Sequence, residues 1–267
     1  MSRQKMYYFS YYRESTLKNK APAFLPFLLP VIVAGLYCMG YIPPEWLNKQ
    51  AEQLPRSAEP MPVGLERLLS ARRARVQDLR QWCAEHLDGV AVGILEIGCG
   101  HGRFLVEAAM RFPEKVCVGL DVLSRRLRSG EEKRERRGLQ NVFFVKAEAA
   151  EFVEAMPAKT FGAVYILFPD PWPKRKHAAR RLIQNDFLTA LAAKLVPGSK
   201  VFFRTDDKVY YKEACKRFSE HSHWSLDTHQ PWPCDSTTYF EEVTGGYRSL
   251  VAVRNLLISA KTPCHWG

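Results

Sequence analysis

The sequence predicts an α/β domain built on a doubly wound, mostly parallel sheet, and three observations predict it. Short, nearly continuous apolar runs recur from about residue 90 onward, as in strands buried on both faces. Stretches with helical spacing of apolar residues separate them. The first run ends in a glycine-rich turn, Gly98, Gly100 and Gly102, and the second ends in a carboxylate, Asp121. Strands alternating with helices in this way form parallel sheets covered on both sides.

The elements follow in order. Leu65, Leu68, Leu69, Val76, Leu79 and Leu87 lie near helical spacing across residues 65–87, with arginines between them. "VAVGILEIG" reads as the first buried strand and a helix begins near His101. "KVCVGLD" is the second strand. Then come a helix over 124–137, a strand over 141–146, a helix over 148–156 and a strand over 161–168. A helix over 180–195, a strand over 199–205, a helix over 207–219 and a strand over 246–258 complete the series. No internal repeat is visible, and one domain accounts for residues 61–267.

Residues 1–60 break this pattern. Residues 21–44 carry no charge, and Arg3, Lys5, Arg13, Lys18 and Lys20 precede them with only Glu14 in opposition, as in a signal sequence or a membrane anchor. Pro22, Pro26 and Pro30 interrupt the run, however, and a spanning helix needs about 20 apolar residues. Residues 1–60 are therefore expected to be a disordered extension or a misassigned start, with Met61 a fitting first residue. An anchor at 21–44 is the alternative.

Of the 267 residues, 46% are hydrophobic and 25% charged, which is ordinary for a soluble globular protein. The net charge of +11 favours a polyanionic partner, nucleic acid before a membrane surface. Seven scattered cysteines with no CxxC argue against a disulfide framework or zinc knuckle and for reduced thiols in the cytoplasm. His221 and His223 lack flanking ligands at metal spacing and read as surface residues, so no metal is expected. The oligomeric state stays open between monomer and homodimer.

"ILEIGCGHGRF" is the first sharp motif. Its glycines allow a tight turn and let a ligand lie against bare backbone. Asp121, about 20 residues on, is placed to accept both hydroxyls of a ribose. A dinucleotide fold wants G-x-G-x-x-G with pyrophosphate on the helix N-terminus. Here Arg103 stands where the third glycine belongs, and Glu96 precedes the turn, where a carboxylate would repel a pyrophosphate. It suits a cofactor bearing an ammonium group and no phosphate, namely S-adenosylmethionine. Glu148, after the third strand, is placed to accept from the adenine amino group. Three carboxylates at three successive strand ends are more than a structural turn requires.

"FPDPWPKRKH" (168–177) follows the fourth strand, at the sheet edge where open α/β folds bind ligands. Proline fixes its own φ and biases the preceding residue away from the helical region, so Pro171 and Pro173 are expected to aim Asp170 and Trp172. A stiff acceptor beside a flat ring suits a purine, by stacking on Trp172 and hydrogen bonding to Asp170. Lys174, Arg175, Lys176, His177, Arg180 and Arg181 follow with no acid until Asp186. At a helix N-terminus these cations would oppose the macrodipole, a conflict that a bound phosphate backbone relieves. The block Arg125–Arg137 contains Glu131, Glu132 and Glu135 and reads as a salt-bridged exposed helix, with RNA contact secondary.

"LEIGCGHGRF", "FPDPWPKRKH", "RTDD" (204–207) and "TYFE" (238–241), in this order and spacing, resemble the bacterial tRNA (guanine-N7)-methyltransferases over roughly residues 90–258. The resemblance implies a seven-stranded, Rossmann-like class I methyltransferase fold that methylates guanine N7 in the tRNA variable loop. By match, Glu96, Gly98, Gly100, Gly102, Asp121, Glu148 and Asp170 would line the methyl-donor site. Lys174, Asp206, Thr238, Tyr239, Phe240 and Glu241 would hold the substrate, with Asp170 the catalytic residue and the basic cluster on RNA. The chain departs from the family at Ala178 and Ala179, where further basic residues are usual, and at Val243, where Lys or Arg is usual. Both departures bear on grip of the tRNA.

Guanine N7 offers a lone pair and no proton, so this chemistry needs no general base and relies on proximity and electrostatics. Asp170 would stabilise the cationic product, and Asp206 and Glu241 would accept from guanine N1–H and its amino group. One alternative is a methyltransferase for an exocyclic amino group, which uses an Asn-Pro-Pro-aromatic element that the Asp170 segment does not match. The other is an RNA-binding homologue without activity, against which the intact carboxylate set argues.

Overall fold

The first apolar run becomes β1 (Gly93–Ile97), five residues buried on both faces. It pairs in parallel with β2 (Cys117–Asp121) on one side and β4 (Phe161–Leu167) on the other. β3 (Val142–Lys146) extends the sheet beyond β2, and β5 (Lys200–Thr205) extends it beyond β4, both in parallel. β7 (Arg248–Arg254) then runs antiparallel to β5 and to β6 (Trp224–Leu226). The sheet order is β3-β2-β1-β4-β5-β7-β6, seven strands of which β7 alone runs against the others. The computed structural model describes residues 63–90, 92–227, 232–233 and 246–256. The expected extension 1–60, its alternative anchor at 21–44, Val243 and the motif Thr238–Glu241 lie outside these residues, as does the side chain of Arg175.

Helices cover both faces. On one face, Leu95 and Ile97 of β1 pack with α1 (Val63–His86), α4 (Ala149–Ala155), α5 (Asn185–Lys194) and α6 (Lys208–Glu220), through Val76, Phe152, Leu188 and Phe218 among others. On the other, Ile94 packs with Phe104, Leu105 and Ala108 of α2 (Arg103–Arg111). α3 (Ser124–Arg136) lies beside α2 and β3. Ion pairs fasten α1 to α4: Arg75 donates from Nε (3.0 Å) and Nη2 (2.6 Å) to the two oxygens of Glu151, and Arg72 reaches Glu154 at 2.5 Å. Glu151 is 4% exposed, so this fork satisfies a carboxylate that burial would otherwise strand.

The chain leaves β1 toward β2 and returns to the opposite side of β1 as β4. The connections therefore diverge at the carboxyl ends of β1 and β4, which opens a crevice there. The β1–α2 turn (98–102) and the proline-rich stretch (168–173) start at these two carboxyl ends.

Two expectations need correction. The helix expected from residue 180 begins at Asn185; Arg175–Arg180 form a 3₁₀ helix, and Arg181 and Gln184 are extended. Gln184 Nε2 donates to the carbonyls of Ala178 (3.0 Å) and Arg181 (3.1 Å), holding the two segments apart. The first turn of α5 carries Asp186 and no cation, so the basic cluster does not oppose a helix dipole. β6 went unrecognised because three residues cannot display a period of two.

Gly102 shows how tightly the turn is held. Its φ is 68°, and a Cβ there would lie 2.4 Å from the Phe144 ring, which is wedged against Gly130. Gly102→Ala is expected to destabilise the protein by about 1–3 kcal/mol, through the left-handed backbone and the displaced ring. Denaturant unfolding checks this, and an unchanged midpoint would contradict it.

Candidate active site

Asp121 closes β2 and organises the crevice. Its Oδ2 accepts from Gly100 N (3.1 Å) and its Oδ1 from Leu123 N (2.8 Å), so one carboxylate ties the β1 turn to the start of α3. Gly98 N and Cys99 N both donate to Leu120 O at 2.8 Å. Gly98 and Gly100 have positive φ and open space where a Cβ would stand, leaving bare backbone toward the crevice. A carboxylate has about four lone-pair sites, so each oxygen of Asp121 keeps capacity for one more donor.

Glu96 is 3% exposed, on the α2 face of β1. It accepts from the Leu105 amide, while its Oε2 has no hydrogen-bond partner among the described residues. Burial raises its pKa well above the usual carboxyl range, the charge of Asp121 raises it further, and the Leu105 amide partly offsets both. An unpaired, buried carboxylate oxygen at the Gly-rich turn is complementary to a cationic donor group.

Glu148 precedes α4, half-buried, with its pKa raised by burial and then by Glu151, against the pull of Arg75. Beyond β4, burial of the Asp170 carboxylate raises its pKa. Arg126 lowers that pKa, and Asp121 raises it. Asp121 thus acts electrostatically on both Glu96 and Asp170, and Glu148 follows β3 on the same sheet edge.

The proline-rich stretch differs from expectation. Trp172 adopts φ 43° and Phe168 φ 51°, so Pro173 does not hold Trp172 in the extended region. Phe168 N donates to Arg204 O at 2.9 Å, which anchors the stretch to β5. The Trp172 ring lies 5.0 Å from the Arg180 guanidinium and 5.9 Å from the His177 ring. Lys174 and Lys176 are exposed. The pKa of His177 is lowered, by shielding from water and by Arg180, Lys176 and Lys174. Asp206 is exposed at the carboxyl end of β5, whereas its neighbour Asp207 is structural and caps α6 by accepting from Tyr210 N at 2.7 Å.

Arg181, expected on RNA phosphates, is corrected: it is 3% exposed. Its Nε donates to Pro171 O (2.7 Å), its Nη2 to Trp172 O (3.3 Å), and its Nη1 pairs with Glu213. A guanidinium spent on these partners cannot also meet a phosphate.

Three features escaped the sequence. Arg126, read as part of an exposed salt-bridged helix, stands 3.5 Å from Asp121 Oδ2. Val122 is 51% exposed directly beyond Asp121, an apolar surface left uncovered at the site. Arg204 of the "RTDD" motif is buried, 3.7 Å from the Trp232 ring and 4.7 Å from the Tyr247 ring, with Nε donating to Ser249 Oγ at 3.2 Å. Only that motif signalled Arg204; nothing in the sequence set Arg126 or Val122 apart. Among the described residues no group of three His, Cys, Asp or Glu side chains could hold a metal ion. Nor is any described helix long and apolar enough to cross a membrane.

The model of the family described as "Putative methyltransferase" matches residues 91–248, which include both walls of the crevice. A Microcystis aeruginosa protein named tRNA (guanine-N(7)-)-methyltransferase is 35% identical over 142 residues, 52% of this chain and 67% of that one. The Neorickettsia sennetsu protein of the same name is 34% identical over 162 residues, 59% of this chain and 70% of its own. The chain belongs to the tRNA (guanine-N7)-methyltransferase family. A third relative, from Thermotoga maritima, is 38% identical over 135 residues, and there the match spans 50% of this chain and 43% of the relative's length. The family match takes in Glu96, Asp121, Glu148, Asp170 and Asp206, while α1 and the residues before it lie outside.

The raised pKa of Glu96 sets a pH dependence. A carboxyl whose folded pKa exceeds its unfolded value favours folding below the unfolded value, and this stability is lost as pH rises through the folded pKa. Glu96→Gln removes the loss. The variant should match the wild type in Tm below about pH 4.5 and exceed it increasingly at higher pH. Thermal unfolding across pH checks this; equal values at pH 8 would mean that the carboxylate is paired.

Proposed function

We propose that this chain transfers a methyl group from S-adenosylmethionine to N7 of a guanine in the variable loop of tRNA. The observation that carries this is the cluster at the switch point: Glu96 with an unpaired buried oxygen, Asp121 beside it, and Asp170 on the opposite wall. When bound, the donor supplies an electrophilic methyl group on a sulfonium. Glu96 would hold its ammonium, and the remaining lone pairs of Asp121 would accept from its ribose hydroxyls. Glu148 would accept from the adenine amino group, and the exposed Val122 would cover an adenine face.

The base needs no deprotonation. Asp170 orients the purine and, ionised, offsets the positive charge that develops on it, so its raised pKa sets the lower pH limit of the reaction. Asp206 and Glu241 accept from N1–H and the exocyclic amino group. Lys174, Thr238, Tyr239 and Phe240 would hold the nucleotide, and Lys176, His177, Arg180 and Arg175 would meet the tRNA backbone. The working unit is residues 61–267, in the cytoplasm.

Mass mapping of methylated nucleosides after incubation with labelled donor and unmodified tRNA tests the function; any product other than 7-methylguanosine sinks it. Asp121→Ala should weaken donor binding by about 2–4 kcal/mol in calorimetry, as two charge-assisted hydrogen bonds are lost. Unchanged affinity would refute the donor site. Asp170→Asn keeps shape and removes charge, so single-turnover methylation should fall more than tRNA affinity; a normal rate would remove Asp170 from the chemistry. Lys174→Ala with Lys176→Ala should reduce the slope of log affinity against log salt by about 0.7–0.9 per lost phosphate contact. A wild-type slope would take these lysines off the backbone.

A further inference from the structure

Trp172 holds a left-handed backbone that a bulky residue adopts only when its surroundings impose it. The imposing group is Arg181. From one buried guanidinium it donates to the carbonyls of Pro171 and Trp172, on either side of the strained residue's own backbone, and pairs with Glu213. The guanidinium lies 5.3 Å from the Tyr210 ring centroid, and the Tyr210 hydroxyl accepts from Ile183 N at 3.2 Å, which seats the chain just beyond Arg181. Glu213 and Tyr210 belong to α6, whose Tyr210, Ala214 and Phe218 are buried in the core. The proline-rich wall of the crevice is thus bolted to a rigid helix through one side chain.

We propose that Arg181 is a positioning residue, which fixes Pro171 and Trp172 to α6 and thereby sets where Asp170 presents its carboxylate. This rests on the reading that Asp170 meets the target base. The prolines alone do not do this, since they favour the extended conformation at Trp172 that the structure lacks. Lysine does not replace arginine here. A single ammonium cannot span two carbonyls and a carboxylate in the directions that the planar fork reaches.

The test compares the full-length wild type with Arg181→Lys and Glu213→Gln. Donor affinity by calorimetry, kcat and KM for tRNA, the salt slope of tRNA binding, and the rate of tryptic cleavage after residues 174–176 are measured for each. Arg181→Lys should keep the donor affinity and the salt slope, lose kcat by about tenfold or more with little change in KM, and be cleaved faster in the loop. A merely structural role would lower donor binding and kcat together, which overturns the proposal. Normal kcat and normal cleavage in the lysine variant likewise overturn it. If that variant does not fold, Glu213→Gln decides: faster cleavage and a smaller kcat loss at unchanged donor affinity support the bolt, and wild-type behaviour overturns it. The cleavage readout needs no turnover, and failure of the wild type to methylate tRNA would sink the functional reading alone.

Discussion

The two backbone hydrogen bonds that Asp121 accepts, from Gly100 and Leu123, are the constraint on which the crevice depends. A parallel sheet ends in ragged loops unless something joins adjacent strand ends. Here one buried carboxylate joins them, with each charge-assisted bond contributing about 1.5–3 kcal/mol. The glycines it organises stay bare on the side where a Cβ would stand, and Phe144 with Gly130 closes the far side of Gly102. The protein's own hydrogen bonds and packing therefore shape the turn, and the residue that shapes it keeps lone pairs for a ligand.

The same carboxylate creates the electrostatic stress of the site. Asp121 raises the pKa of Glu96 and of Asp170, in each case on top of burial. Arg126 is the cation that opposes it, at 3.5 Å and partly open to water. Folding gains nothing from leaving Glu96 buried with an unpaired oxygen. A cationic group would relieve that cost, so the burial of Glu96 and the proposed affinity of this cluster for a methyl donor have one physical origin. Structural ion pairs show the contrast: Glu151 is equally buried, but Arg75 satisfies both its oxygens.

The opposite wall is held differently. Three prolines narrow the conformations of residues 168–173 but do not select the observed one, because Phe168 and Trp172 are left-handed. Selection comes from partners far along the chain: Arg204 O for Phe168, and Arg181 with Glu213 for the carbonyls of Pro171 and Trp172. The basic cluster accordingly divides by burial, with Lys174 and Lys176 facing water and Arg181 turned inward.

Local pattern determined the alternation of strands and helices, the Gly-rich turn between β1 and α2, and the carboxylates at the ends of successive strands. Each of these is encoded by neighbours in sequence: continuous apolar runs demand burial on both faces, and glycines permit the turn. The motif set was also enough to indicate the family. What the sequence left open turns on partners separated by tens of residues. The charge of Arg181 reads as a surface cation until α6 supplies Glu213, and Arg126 reads as one more helix arginine until β2 places Asp121 beside it. The helix start moved from 180 to Asn185 for the same reason, since Gln184 and Arg181 are held extended by non-helical contacts. Burial and long-range pairing decide whether a cation grips a ligand or the protein itself, and only the packed tertiary structure specifies them.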